Sequence, residues 1–123
     1  MLQDKQITQH FRLSEFRCKC GCGGVNEAAA TALALALENT RLHYGPILIA
    51  SGFRCPAHNA AVGGKPGSMH LLGLAADIPV YSDSDRYRLL DALLYSFDRI
   101  GIGKFIVHAD IGAPHGVAWT YYP

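Results

Sequence analysis

Two stretches of this sequence bring together residue types that can do chemistry. The first is Ser68-Met69-His70-Leu71-Leu72-Gly73-Leu74-Ala75-Ala76-Asp77, where an aspartate follows a histidine by seven positions. That aspartate stands among Leu, Ala and Ile, and a carboxylate in apolar company is costly unless a positive partner meets it. A metal cation would meet it, and would also suit a neutral His70. The second stretch is Val107-His108-Ala109-Asp110. Extended, it puts His108 and Asp110 on one face, because side chains two apart in a strand point the same way. Two histidines and one aspartate make three nitrogen and oxygen ligands with a fourth position left for water. That is the pattern of a catalytic zinc rather than a closed structural one.

Each residue also has a plainer reading. A loop histidine such as His70 often only hydrogen-bonds at the surface, Asp77 could pair with Arg54, and His108 could be a satisfied core histidine. Spacing alone does not choose between these readings. The four cysteines, Cys18, Cys20, Cys22 and Cys55, form a further cluster of reactive groups. The Cys-x-Cys-x-Cys run is too tight to suggest an obvious disulfide pairing, and a chain without an export signal would normally keep its thiols reduced.

The elements that must position these residues can be read from local signals. Phe11, Leu13 and Phe16 mark an ordered N-terminal segment that can pack on a core, and residues 18–24 read as a glycine-rich turn. Asn26 caps a helix expected over Glu27 to His43, which Gly45-Pro46 ends. Ile47 to Ala50 is an apolar run that predicts a buried strand. Pro56 opens a short helix to about Ala61. A second strand is expected over Leu74 to Val80 and a second long helix over Asp85 to Phe97, carrying Leu89, Leu90, Leu93 and Leu94 at helical spacing. Gly101 and Gly103 read as the turn into a third strand, Lys104 to Ile111. Pro114, His115, Trp119, Tyr121 and Tyr122 read as a closing tail. The fold class is α+β: two longer helices and a small, mainly antiparallel sheet with a cleft on it.

Composition narrows the function. The chain has 123 residues, half of them apolar and 17% charged, with a formal net charge of +1. This is one folded domain, residues 1–123, in which residues 1–24 form a Cys-containing N-terminal segment. Near-neutral charge without a dense Lys/Arg run argues against nucleic acid or an anionic membrane as partner. The longest apolar stretch, around Ala28 to Leu37, falls well short of the roughly 20 residues a membrane span needs. Met1-Leu2-Gln3-Asp4-Lys5 is polar and lacks the apolar core of a signal peptide. A monomer made in the cytoplasm is expected, dependent on some other agent to reach a substrate outside the membrane.

Beyond spacing, Ser68 to Asp77 reads Ser-x-His-x-x-Gly-x-Ala-x-Asp, which resembles the signature of the zinc D-Ala-D-Ala carboxypeptidase and murein endopeptidase family. That family is related to the hedgehog domain in its metal-site layout. Ser51-Gly52-Phe53-Arg54, Gly101-Ile102-Gly103 and Phe105-Ile106-Val107-His108-Ala109-Asp110-Ile111-Gly112 agree with it in order. The small phage-type lysins are the most similar subgroup, through the Trp after a Pro-containing loop and the segment from Phe11 to Cys22.

The resemblance implies that His70, Asp77 and His108 bind zinc in the cleft. It implies that Arg54 binds a substrate carboxylate or the attacked carbonyl, and that Ser68 hydrogen-bonds at the mouth of the site. Zinc would acidify a water and polarise the scissile carbonyl, while a carboxylate carries the proton to the leaving amine. Several members place that acid three positions before the last histidine, where this chain has Phe105. Asp110 is the remaining candidate for the base, with a role in orienting a ligand histidine as its alternative. His115 is a candidate for contacting substrate or the oxyanion, with an exposed loop histidine of no role as its alternative. The activity implied is hydrolysis of a peptide bond in a peptidoglycan stem or cross-link, as a phage or prophage endolysin acting on the wall after release. A D-Ala-D-Ala carboxypeptidase or dipeptidase and a silent zinc-containing wall-binding module are the alternatives. The cysteines are read first as reduced or partly disulfide-linked, with a second, structural zinc at Cys18, Cys20, Cys22 and Cys55 behind that.

Overall fold

The helices start and stop where side chains satisfy their open ends. In a computed structural model, which describes residues 4–121, helix α1 runs Glu27–Tyr44. Met1, Leu2, Gln3 and Tyr122, all used above, lie outside the described residues. Asn26 Oδ1 accepts the Ala29 amide at 3.1 Å, satisfying one open donor at the start of α1. Gly45, at φ 104°, takes the backbone out at its end. Its buried stripe of Ala30, Leu33, Ala34 and Leu37 follows the helical repeat. Helix α2 is Pro56–Ala61, with proline at the start as expected.

Helix α3 spans Asp83–Leu93, capped by the Ser82 hydroxyl on the Asp85 amide at 3.0 Å. It ends earlier than the apolar spacing predicts. Leu94 is exposed, and a turn at residues 94–96 swings Phe97 back into the core.

The sheet has four strands: β1 Ala75–Pro79, β2 Arg99–Ile102, β3 Ile106–Asp110 and β4 Val117–Thr120, in the order β1-β3-β2-β4. The β1–β3 and β2–β3 pairs are antiparallel and β2–β4 is parallel, so the sheet is mixed. Two of these strands correct the sequence reading. Gly101 lies inside β2 rather than in a turn, and the tail supplies β4. The expected strand at Ile47 to Ala50 does not form. Ile47 and Ile49 are buried and Leu48 exposed, a strand-like alternation, but pairing reaches only the single bridge of Ser51 with Asp77. Immediately beyond it the Phe53 amide turns away to the Phe16 carbonyl at 2.9 Å.

Alternation along the strands separates core from cleft. Ala76, Ile78, Val107, Ala109 and Ile100 pack with Leu33, Leu37, Leu89 and Leu93 of the helices. Phe11, Leu13 and Phe16 join the same core, so the N-terminal segment is part of it. The other face of the sheet carries Asp77, His108 and Asp110. Among the described residues, no helix is long and apolar enough to cross a membrane.

Candidate metal centre on the sheet

One cross-strand row builds the floor of the site. Asp77 in β1 faces His108 in β3, His108 faces Gly101 in β2, and Gly101 faces Trp119 in β4. Gly101 is required there. A Cβ at this position would lie 2.7 Å from both the Trp119 Nε1 and the Tyr121 hydroxyl, so only glycine lets those rings close over the row. His70 comes from a 3-10 turn, Met69–Leu72, which Ser68 caps by accepting the His70 amide at 3.2 Å.

The hydrogen bonds fix which atoms face the centre. His70 Nδ1 lies 2.6 Å from the Gly52 carbonyl, which can only accept, so Nδ1 carries the proton and Nε2 keeps its lone pair. That Nε2 faces Asp77 Oδ1 at 3.1 Å. His108 Nε2 lies 2.7 Å from Asp110 Oδ2, so it donates, and the Nδ1 lone pair also faces Asp77 Oδ1 at 3.1 Å. Three lone-pair atoms therefore converge on one point. Such a confrontation is stable only when a cation, a metal ion or a proton, sits among them.

The electrostatics agree. Burial opposes charge on Asp77, yet His108 and His70 hold its carboxyl well below the usual range. Burial also works against a charged His108, but hydrogen bonds and charge from Asp110 and Asp77 raise it above its ordinary value. The cluster as a whole demands positive charge.

Around this centre, the predicted residues fall into place unevenly. Arg54 donates from Nη2 to Asp77 Oδ2 at 2.9 Å, and also to Ser51 and Asn59. It pins one carboxylate oxygen and leaves Oδ1 to the centre. Asp110 shares the face of His108 as expected, but both its oxygens are engaged. Oδ2 meets His108, and Oδ1 accepts from Arg99 Nε and the Gly112 amide. Burial pushes this carboxyl up, while His108, the Gly112 amide and Arg99 bring it below the ordinary range. Ser68 lines the cleft, as does Phe105, which is 70% exposed there.

His115 is the exception. It lies outside the cleft lining, and its exposed ring pairs with exposed Asp98 at 3.2 Å. The direction of its loop is set by β4, the strand formed where the sequence predicts a tail.

Arg99, Trp119 and Tyr121 were given no role from sequence, yet all three line the cleft. Arg99 sits over the Trp119 ring, 5.4 Å from its centroid. A glycine inside a strand was the available signal, since it marks a close approach from the neighbouring strand. The cleft holds about 1010 Å³, room for several residues of a peptide.

An α+β domain with an open His-Asp-His donor set on the floor of a large cleft has the build of a metal-dependent hydrolase. The chain belongs to the peptidase M15 family, whose model matches residues 9–110, a span that includes all three converging residues. This is a family of zinc-dependent peptidases, with peptidoglycan as the general substrate. No curated protein matches the chain.

Proposed function

We propose that this chain is a zinc-dependent endopeptidase that cuts a peptide bond in the stem or cross-link of peptidoglycan. The observation that carries the reading is the convergence of three lone-pair atoms, His70 Nε2, Asp77 Oδ1 and His108 Nδ1, at the floor of the cleft. These would hold the metal. When bound, zinc supplies Lewis acidity, polarising a carbonyl and acidifying water.

The protein's own groups supply the rest. Arg54 positions Asp77 through its second oxygen, and Asp110 fixes the tautomer and tilt of His108. With both oxygens engaged, Asp110 is better suited to that positioning than to taking a proton from water. Arg99 in turn holds Asp110 ionised. The Tyr121 hydroxyl lines the same cleft, bonded by the Trp119 indole N–H, and is the donor suited to a developing oxyanion. Ser68 keeps His70 in place through its capping hydrogen bond.

Endopeptidase is preferred over carboxypeptidase for an electrostatic reason. A free C-terminal carboxylate calls for an available cation, but Arg54 and Arg99 are committed to Asp77 and Asp110. The other cations lining the cleft, Lys65 and Lys104, are exposed on its loops, where an ion pair with a carboxylate is worth little. The reading extends to a phage or prophage lysin, synthesised in the cytoplasm and active after release to the wall.

A second reading rests on one observation. Of the carboxylates lining the cleft, Asp110 has both oxygens engaged and Asp77 turns its one open oxygen to the metal centre, while Phe105 stands where the resemblance implies an acid in several members. That favours a wall-binding module that keeps the metal without catalysis. Digestion of purified peptidoglycan followed by mass spectrometry separates these readings. New amino termini within the stem or cross-link are expected for wild type, and none with His70→Ala. Released D-alanine would establish the carboxypeptidase instead. Binding to the wall without any product would establish the binding module.

A further inference from the structure

The N-terminal turn and the loop after Arg54 meet at a second cluster that the sheet site does not use. Cys18, Cys20, Cys22 and Cys55 bring their four sulfurs within 4.8 Å of one another, and none of them is in a disulfide. We propose that these four thiolates bind a structural zinc ion, closed and tetrahedral, separate from the centre on the sheet.

The spacing fits a metal. A tetrahedron with metal–sulfur bonds of about 2.3 Å has sulfur–sulfur edges of about 3.8 Å. Here Cys18 to Cys55 and Cys20 to Cys55 are each 3.8 Å apart, and Cys18 to Cys20 is 3.4 Å. The Cys-x-Cys-x-Cys run is tighter than the usual zinc-finger pattern, and Gly21 and Gly23 make it workable. Their φ angles of 90° and 76° curl the turn so that the sulfurs on either side face the same point.

The backbone supplies a second, independent observation. Each of the four sulfurs accepts one main-chain N–H. Cys55 donates to Cys18 at 3.4 Å, Cys22 to Cys20 at 3.4 Å, Gly24 to Cys22 at 3.3 Å and His58 to Cys55 at 3.4 Å. A neutral thiol is a weak acceptor, so four donors aimed at four sulfurs suit thiolates. Binding would exchange four S–H protons for one divalent cation, releasing those protons to solvent. A closed four-sulfur set leaves no position for substrate, so the ion's task is structural.

Its position gives the task content. Cys55 directly follows Arg54 and caps α2, while the Arg54 amide donates to the His70 carbonyl at 3.0 Å. Zinc would clamp the N-terminal turn to the segment that aims Arg54 at Asp77.

The test counts metal and thiols in the purified full chain. Elemental analysis should give two zinc equivalents in wild type and one in the His70→Ala/Asp77→Ala variant. Cys20→Ser alone should lower the wild-type count from two to one. Cobalt substitution of the double variant should give a thiolate-to-cobalt charge-transfer band that Cys20→Ser abolishes. Thiols should react with Ellman's reagent only after a strong chelator is added. One equivalent in wild type with four freely reactive thiols overturns the proposal. So does an intact mass two hydrogens lighter for each pair of unreactive thiols, which would establish disulfides. Because wild type and Cys20→Ser are read alongside it, poor folding of the double variant does not spoil the count. Loss of the sheet site alone would leave the cysteine equivalent in place, so the two readings fail separately.

Discussion

His70, Asp77 and His108 converge on the polar face of a sheet, whereas Cys18, Cys20, Cys22 and Cys55 converge from a glycine turn and a loop. In the first cluster two of the three residues sit on paired strands, and every donor atom is oriented by a partner: Gly52, Arg54 or Asp110. The set stops at three and faces the cleft. In the second cluster the positioning groups are main-chain amides, and the four sulfurs face one another. A strand-borne scaffold with a position left open suits chemistry, and a turn that brings four like donors together suits cross-linking.

The sharpest way to break this comparison is to remove one ligand from each side. His70→Ala should abolish zinc at the sheet and lower hydrolysis by about 10³-fold or more, since metal polarisation is worth several kcal/mol. Retention of full hydrolysis by this variant would remove the sheet site from the chemistry. Asp110→Asn comes next. If Asp110 acts through His108, zinc affinity and hydrolysis should fall together by about 10- to 100-fold. If zinc stays tight while hydrolysis alone collapses, Asp110 is the base after all. Cys55→Ser should do the reverse of His70→Ala. It should cost about 2 kcal/mol, or roughly 8 °C in melting temperature, with most hydrolysis kept.

The sequence exposed the three converging residues more clearly than their surroundings, and the reason is one of range. Asp77 in an apolar run and His108 two before Asp110 are local patterns, readable from strand alternation. The helix starts were equally local, because Asn26, Pro56 and Ser82 act on their own next turns. Strand β2 was missed because Gly101 is a turn signal in isolation, and becomes a strand residue only through the rings of Trp119 and Tyr121. The strand expected at Ile47 to Ala50 failed for a similar reason. Its alternation is correct, but Phe16 diverts the chain after a single bridge. Which of the two readings of His115 holds depends on the path of its loop, and that path is set by β4. The engagement of both Asp110 oxygens depends on Arg99, eleven residues away on β2, and no spacing in the chain announces it.

Among smaller effects, Tyr121→Phe removes the hydroxyl while keeping the ring that packs beside Trp119. A drop of about tenfold in kcat with little change in KM is expected if that hydroxyl serves the transition state, because its exposure dilutes the larger effect of a buried oxyanion donor. A rise in KM with kcat unchanged would make it a substrate contact instead.

The smallest effect expected is one of pH, and it separates the two clusters. In metal-free protein the raised His108 contributes stability that is fully present below its ordinary value of 6.5 and lost as pH rises through its higher folded value. Asp77 and Asp110 are depressed, so their contributions are present above the ordinary value of 3.8, vanish only in acid, and stay constant across this window. The His108 contribution, read as metal-free wild type minus metal-free His108→Ala, should therefore fall from about pH 6.5 upward, with a slope below the one-proton limit of about 1.4 kcal/mol per pH unit. Taking the difference removes Cys18, whose thiol is lowered to about 7 and adds an opposing rise in both proteins. Zinc at the sheet supplies the positive charge that the proton otherwise provides, so loading that site should flatten the slope. Loading only the cysteine cluster, in the His108→Ala variant, should give no slope to flatten, because the titrating group is gone. Melting curves of the three forms between pH 6 and pH 9 check this. An identical slope in metal-free wild type and His108→Ala would show that the proton is held elsewhere, and that the sheet cluster does not require a cation.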